Sequence, residues 1–183
     1  MTTSIDDPQV GEIVVSGDDV RRRVAELGAQ ITEDYAGKRP LFVGVLKGAF
    51  IFMADLVRQV ALPVEVDFMA VSSYGDSTQT SGVVRIIKDL DREVAGRDLI
   101  LVEDILDSGL TLRYLRKTLM ARQPASIEIC TLLLREGEHD LDDLVRYAGF
   151  RVKPGWVVGY GLDVAERHRE LPDIHRYLVT ELD

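Results

Sequence analysis

Short apolar segments rich in β-branched residues recur along this chain, each followed by a polar turn and a stretch with helical spacing. The clearest are LFVGVL (41–46), which precedes AFIFMADLVRQV, and LILV (99–102), which precedes EDILDSG and then LTLRYLRKTLMA. Segments of this kind are typical of buried parallel strands, which are joined by crossover connections. The pattern therefore predicts an α/β domain with a mostly parallel central sheet flanked by helices.

The remaining segments fit the same plan. An amphipathic helix with Asp18 as its cap is predicted from the spacing of apolar residues at Val20, Val24, Leu27 and Ile31. Further strands are expected over 64–73, 83–90 and 126–134, and shorter ones near 145–150 and 156–160. Residues 1–16 read as a loose N-terminal arm. No repeat or Ser/Pro-rich linker divides the 183 residues, so we expect one domain over 1–183.

Composition and charge exclude several classes of protein. No apolar run reaches the roughly 20 residues that span a bilayer. The first ten residues carry acid where a secretory signal has base, and a single Cys permits no intrachain disulfide. The net charge of −9 disfavours a nucleic-acid or anionic-membrane binder. We therefore expect a cytoplasmic protein that binds neither nucleic acid nor membrane.

The segment LILVEDILDSGLTL (99–112) carries the strongest chemical signal. A buried strand ends in Glu103 and Asp104, Asp107 follows three residues later, and hydroxyls and a glycine open the next helix. Unpaired amides at a helix start form a phosphate cradle, and closely spaced carboxylates call for a divalent metal, sugar hydroxyls or a proton. Taken alone, Glu103-Asp104 could be a solvated corner, and Asp107 or Ser108 could be a helix cap. The whole ordered set favours a phosphate site.

This segment is similar to the phosphoribosyl-pyrophosphate (PRPP) binding signature of the type I phosphoribosyltransferases: two acids after a strand, then D-[ST]-G-x-T. LKGAF, VSSYGDSTQTSGVVRIIKDLD and VVGYGLD, with Arg169-Glu170-Leu171 after it, resemble the hypoxanthine-guanine members. The resemblance covers about residues 12–178. It implies the type I phosphoribosyltransferase fold, with a small purine-binding hood built from about residues 135–183 and the N-terminal segment.

The resemblance also implies a role for each matching residue. Asp107 is the acid/base at purine N7, and Mg²⁺ is the cofactor. The 5′-phosphate and ribose are bound by Glu103, Asp104, Ser108, Gly109, Leu110 and Thr111. Pyrophosphate is bound by Lys47, Gly48 and Arg169, with a cis peptide expected between Leu46 and Lys47. The metal ligands are Glu103, Asp104 and Asp163.

The purine pocket departs from the family pattern at one position. The resemblance places Arg135, Trp156, Val157 and Asp163 in this pocket, with the Trp156 ring stacked on the base. The family commonly has Lys where this chain has Arg135. Arg keeps a cation that can donate to O6, as it does on guanine. Hypoxanthine, guanine and xanthine therefore all stay open as bases, while adenine fits poorly.

The implied function is purine salvage: a 6-oxopurine and PRPP give the nucleoside 5′-monophosphate and pyrophosphate. Ser73 and Tyr74 belong to an expected lid loop. Family members imply a homodimer or homotetramer. A xanthine-preferring enzyme is one alternative, and a non-catalytic PRPP-sensing regulator is another, although Asp107 and Lys47 are both retained. His139, His168 and His175 are expected at the surface, and Cys130 inside a buried strand.

Overall fold

In the computed structural model, residues 7–73, 84–137 and 143–179 are described. A six-stranded sheet forms the centre and a three-stranded sheet lies at one end. The elements are β1 (Val10–Val15), α1 (Gly17–Asp34), β2 (Leu41–Leu46), α2 (Phe50–Gln59), β3 (Glu65–Ser73), β4 (Val84–Lys88), β5 (Asp98–Leu106), α3 (Leu110–Met120), β6 (Ser126–Arg135), β7 (Tyr147–Val152), β8 (Val157–Val158) and β9 (Ile174–Tyr177). No helix in these ranges is long and apolar enough to cross a membrane.

The central sheet has the strand order β4-β3-β2-β5-β6-β7, and all neighbours are parallel except β3 and β4. The predicted α/β class and mostly parallel sheet are therefore confirmed. From β2 the chain proceeds outward to β3, and from β5 it proceeds the opposite way to β6 and β7. The order thus reverses between β2 and β5. In open α/β sheets such a reversal leaves a crevice at the carboxyl ends of the strands, where ligands bind.

Two apolar layers sandwich this sheet. Helices α1 and α2 bury residues such as Leu27 and Phe52 against one face, and α3 buries Leu112, Leu115 and Leu119 against the other. The middle of β5, Leu99 to Val102, has no exposed surface, as a strand covered on both faces requires. Full burial of each such side chain contributes about 1.5–3 kcal/mol. The loops that follow β2 and β5 are therefore attached to well-packed, buried strands.

The N-terminal segment differs from the prediction. Residues 10–15 are not a loose arm but strand β1, which pairs antiparallel with β9. This pairing joins residues 167 positions apart in register, Val10 with Tyr177, so local sequence pattern could not reveal it. Helix α1 is capped by Ser16 rather than by Asp18, because the Ser16 hydroxyl accepts a hydrogen bond from the Asp19 amide at 3.1 Å.

The small sheet, in the order β1-β9-β8, joins the two ends of the chain. This agrees with a hood formed by N- and C-terminal segments. Its predicted boundary at about residue 135 is wrong, however, because β7 pairs with β6 and belongs to the central sheet. The purine-binding role of the hood stays a prediction.

Candidate active site

The crevice between β2 and β5 holds a cavity of about 320 Å³. Its lining combines Gly48 from the loop after β2 with Glu103 to Thr111 from the end of β5 and the start of α3. Eight of the predicted site residues line this one cavity: Gly48, Glu103, Asp104, Asp107, Ser108, Gly109, Leu110 and Thr111. The predicted phosphate and ribose segments therefore meet where the strand order reverses.

The start of α3 is open to an anion. Gly109 precedes the helix in the left-handed conformation, with φ of 72°, and no described side chain caps the helix. The first turn also lacks an acidic residue, and the Leu110 amide makes only a long contact of 3.5 Å with the Ser108 hydroxyl oxygen among the residues described. Helix amides and the macrodipole at such an end attract a phosphate group. This geometry suits the predicted 5′-phosphate cradle.

Glu103 and Asp104 form an acidic pair on the cavity wall. Although both residues retain some exposed surface, Oε2 of Glu103 is covered and has no hydrogen-bond partner among the described residues. Burial, and then the adjacent Asp104 charge, raises the pKa of Glu103 well above its usual range. Burial likewise raises the pKa of Asp104. Hydrogen bonds from the Glu103 side chain and from backbone amides act in the opposite direction but are outweighed. The pair is thus destabilised when both carboxyl groups are ionised without a partner.

The acidic pair is held closely by its neighbours. The Ile105 amide donates to Oδ1 of Asp104 at 2.8 Å, and Oδ2 of Asp104 occupies the space beside Gly48. A Cβ at Gly48 would lie 1.6 Å from that oxygen, so this position has no room for a side chain. The peptide bond between Leu46 and Lys47 is cis, as the resemblance implied.

The acidic pair offers carboxylate oxygens of the kind that Mg²⁺ prefers. In the described ranges no group of three or more His, Cys, Asp or Glu side chains is arranged to hold a metal ion. The predicted ligands Glu103, Asp104 and Asp163 therefore do not make one ready-built cluster. Mg²⁺ is nevertheless commonly bound by one or two carboxylates together with substrate oxygens. The acidic pair, with its unpartnered oxygen, meets that requirement.

Asp107 lies at the cavity with Arg135 beside it. Nε of Arg135 is 3.5 Å from Oδ2 of Asp107, and the same guanidinium donates through Nη1 to the Gly155 carbonyl. Nε itself is buried and makes no hydrogen bond within the described part of the chain. Arg135 thus links the predicted acid/base to the loop before Trp156, whose side chain is 60% exposed.

An exposed indole beside this arginine suits a stacking surface, because a Trp that served the core would be covered. Val157 differs, since its side chain is buried in the core and only its backbone is left for a ligand. Of the predicted purine-binding residues, Arg135 reaches the carbonyl of Gly155, which directly precedes Trp156 and Val157 in the chain. Asp163 is held elsewhere, by an ion pair of 2.8 Å with Arg169.

The predicted pyrophosphate cations come from two loops that pack together. A Cβ on Gly161 would lie 2.3 Å from the Gly48 carbonyl oxygen, which shows how closely the loop after β8 approaches the loop after β2. Arg169 donates to the Gly161 carbonyl at 2.7 Å, and so its guanidinium is fixed to this junction. Lys47 is two-thirds exposed. The two cations are connected through Glu166, which sequence reasoning missed.

Glu166 accepts a hydrogen bond from Lys47 at 3.1 Å and one from Arg169 at 3.2 Å. The Lys47 contact, followed by the Arg169 contact, lowers the pKa of its carboxyl group. One signal was present in the sequence, since Glu166 lies three residues before a predicted anion-binding arginine. Nothing local indicated that Lys47, 119 positions away, would share it.

Other predictions had mixed outcomes. Cys130 is buried, as expected. The surface positions expected for His168 and His175 are wrong: His175 is buried, and His168 contacts Asp7 at 2.9 Å. Ser73 ends strand β3, while Tyr74 and His139 lie outside the described residues, so the lid stays a prediction.

Comparison with known proteins is consistent over most of the chain. A family model described as phosphoribosyl transferase domain matches residues 14–165. The hypoxanthine-guanine phosphoribosyltransferase of Bacillus subtilis is 49% identical over 165 residues, covering 90% of this chain and 92% of that protein. The hypoxanthine phosphoribosyltransferase of Salmonella typhimurium is 45% identical, covering 93% and 97%.

Solved structures give the same picture. The crystal structure of the hypoxanthine-guanine phosphoribosyl transferase of L. donovani has a TM-score of 0.86 at 37% identity, covering 93% of this chain and 98% of that one. A hypoxanthine-guanine phosphoribosyltransferase from Bacillus anthracis has a TM-score of 0.86 at 38% identity, covering 92% and 99%.

Proposed function

The chain belongs to the hypoxanthine-guanine phosphoribosyltransferase family, and from this we propose that it joins a 6-oxopurine to PRPP. The products are the nucleoside 5′-monophosphate and pyrophosphate, and the reaction depends on Mg²⁺. The observation that carries the proposal is that an uncapped helix start, an acidic pair and Asp107 all line one cavity. These groups suit a phosphate, the ribose hydroxyls and a proton on the base.

Each part of the substrate has a matching group in this cavity. The amides of the first turn of α3, with the hydroxyls of Ser108 and Thr111, bind the 5′-phosphate. Glu103 and Asp104 bind the ribose hydroxyls, either by accepting hydrogen bonds from them or by holding Mg²⁺. When bound, Mg²⁺ would neutralise negative charge on the departing pyrophosphate. Binding therefore gives the buried acidic pair the partners that it lacks in the free protein.

In the reaction, the bond from C1 of the ribose to pyrophosphate breaks and a bond from purine N9 to C1 forms. Lys47 and Arg169 stabilise the charge that builds up on the leaving pyrophosphate. The carboxylate of Asp107 accepts the proton carried at N7, which increases the electron density available at N9. A positive charge develops on the ribose ring at the same time, so exclusion of water by the lid loop protects it from hydrolysis.

Arg135 orients the base. Its guanidinium already lies within 3.5 Å of Asp107, and an arginine carries five N–H donors, enough to serve an acceptor at the purine 6-position as well. An amino group at that position, as in adenine, would place donor against donor. This favours a 6-oxopurine and leaves hypoxanthine, guanine and xanthine as the bases to be compared.

The test is Mg²⁺-dependent release of pyrophosphate from PRPP with hypoxanthine, guanine, xanthine and adenine in separate reactions. We expect turnover with hypoxanthine or guanine and none with adenine. Turnover with xanthine alone would replace the proposal by a xanthine-preferring enzyme. Binding of PRPP without turnover of any base would contradict the proposal and favour a PRPP-sensing regulator. Cytoplasmic location and assembly into a homodimer or homotetramer stay predictions.

A further inference from the structure

Glu166 lies between the two cations assigned to pyrophosphate. Its Oε1 accepts from Nζ of Lys47 at 3.1 Å and its Oε2 accepts from Nη2 of Arg169 at 3.2 Å. One carboxylate thus uses both of its oxygens on two cations that come from different loops. A phosphoryl group offers the same arrangement, because it too carries anionic oxygens on one atom that can each bind a separate cation.

The backbone fixes Glu166 in this position. Ala165 and Glu166 have φ of 51° and 62°, and the Glu166 amide donates to Oδ2 of Asp163 at 2.8 Å. Val164 and Arg167 close the turn through a β-bridge. Residues other than glycine adopt positive φ at a cost and keep it only where their surroundings require it. The carboxylate is therefore presented to the cations by a defined turn, even though its side chain is 64% exposed.

We propose that Glu166 is an internal substitute for pyrophosphate, which occupies Lys47 and Arg169 in the empty enzyme and competes with the ligand for them. This inference rests on the proposed function, because it assigns a competitor to the pyrophosphate subsite. Pyrophosphate binds by displacing the Glu166 carboxylate from both cations. When pyrophosphate departs, Glu166 recaptures them, which favours release of the product.

Arg169 does not lose its alignment when Glu166 leaves. It retains its ion pair of 2.8 Å with Asp163 and its hydrogen bond of 2.7 Å to the Gly161 carbonyl. Within the described ranges the Lys47 side chain makes no second ion pair; it is two-thirds exposed, with Glu166 as its partner. Removal of the Glu166 charge should therefore free Lys47 for the ligand while Arg169 stays in place.

In both contacts the Glu166 carboxylate is largely exposed, while Lys47 is exposed and Arg169 is mostly covered. Ion pairs with an exposed partner typically contribute little free energy each. Loss of this competition in Glu166→Gln should therefore tighten pyrophosphate binding about three- to tenfold. If Glu166 instead serves to position the two cations, the same substitution should weaken binding. The sign of the change separates the two roles.

The test is calorimetric titration of the full chain with pyrophosphate in the presence of Mg²⁺. Glu170→Gln is the matched control, because it removes the same charge from the exposed residue next to Arg169. We expect tighter binding by Glu166→Gln and an affinity for Glu170→Gln within about twofold of wild type. In a Lys47→Met background the gain from Glu166→Gln should shrink, since one of the contested cations is gone.

Unchanged or weaker binding by Glu166→Gln, with wild type binding pyrophosphate normally, would overturn the inference alone. Equal gains in Glu166→Gln and Glu170→Gln would also overturn it, because the effect would then reflect net charge rather than contact. A wild-type chain that neither binds pyrophosphate nor turns over any base would overturn the proposed function and this inference together.

Discussion

Arg135 stands where the sequence resemblance implies a lysine. Its guanidinium spans from Asp107 to the Gly155 carbonyl, so it connects the proposed acid/base with the loop before Trp156. A lysine ammonium at this position would be a single point charge on a flexible stem. Arginine offers several donors in a fixed plane, and here the buried Nε lies 3.5 Å from Oδ2 of Asp107 without a hydrogen bond in the described structure.

Arg135→Met should raise the KM for hypoxanthine about 10- to 100-fold, because a hydrogen bond from a charged donor to the base is lost. The affinity for PRPP should change little, since Arg135 lies at the base end of the site. The KM of Arg135→Lys for hypoxanthine should lie between those of wild type and Arg135→Met. Steady-state kinetics with each substrate varied in turn measures this, with Arg116→Met, an exposed arginine of α3, as the control. Equal effects on both substrates would contradict a role confined to the base.

The elements of the central sheet could be predicted because their signals are local. β-branched runs and helical spacing indicate β2, β5 and α3 without reference to the rest of the chain. The phosphate cradle follows from the strand end and helix start that flank residues 103–111. The small sheet could not be derived in this way, because β1 and β9 come from opposite ends of the chain.

Contacts that depend on distant pairing were missed for the same reason. His168 reads as a polar surface residue, yet it contacts Asp7 at 2.9 Å across 161 positions of sequence. Glu166 reads as one of many acids, and only the packing of Gly161 against Gly48 brings it to Lys47. The family resemblance predicts which residues belong to the site. It does not predict which of these residues contact one another.

Helix α3 allows a test in which stability and binding move in opposite directions. Its first turn contains no acid, and Leu110 at the helix start is 54% exposed. Leu110→Glu should stabilise the free protein by about 0.3–1 kcal/mol relative to Leu110→Gln, because a carboxylate there interacts favourably with the helix dipole. The same carboxylate should compete with the 5′-phosphate and weaken PRPP binding about tenfold or more.

Thermal unfolding without ligand and calorimetric titration with PRPP measure the two effects. Leu110→Gln is the control because it has a similar shape and carries no charge. Similar PRPP affinities for the two variants would show that the phosphate does not bind at the start of α3.

At the scale of the whole molecule, the burial of Glu103 makes the stability of the fold depend on pH. The pKa of Glu103 is raised by burial, so the folded chain holds this proton more tightly than the unfolded chain. The Glu103 proton makes its full contribution to the free energy of unfolding at a pH below the carboxyl pKa of the unfolded chain. This contribution is lost as the pH rises through the higher pKa of the folded state. At neutral pH the wild-type protein is thus less stable than a variant with an uncharged side chain at this position.

Glu103→Gln should therefore raise the unfolding temperature relative to wild type by an amount that grows from about pH 4 to about pH 8. The variant should also bind PRPP more weakly, since it loses a carboxylate for the ribose. Thermal unfolding across this pH range measures the first effect, with the exposed Glu93→Gln as the control. A difference that stays constant with pH would contradict the raised pKa of Glu103.

The central claim is that this cavity transfers the phosphoribosyl group with Asp107 as the acid/base, and Asp107→Asn tests it most directly. The relevant measurement pairs kcat for hypoxanthine and PRPP with the Kd for PRPP in the same protein. We expect kcat to fall about 10²- to 10⁴-fold, because proton transfer to a positioned carboxylate is lost. The Kd for PRPP should stay within a few-fold of wild type. Retention of wild-type kcat in Asp107→Asn would contradict the account.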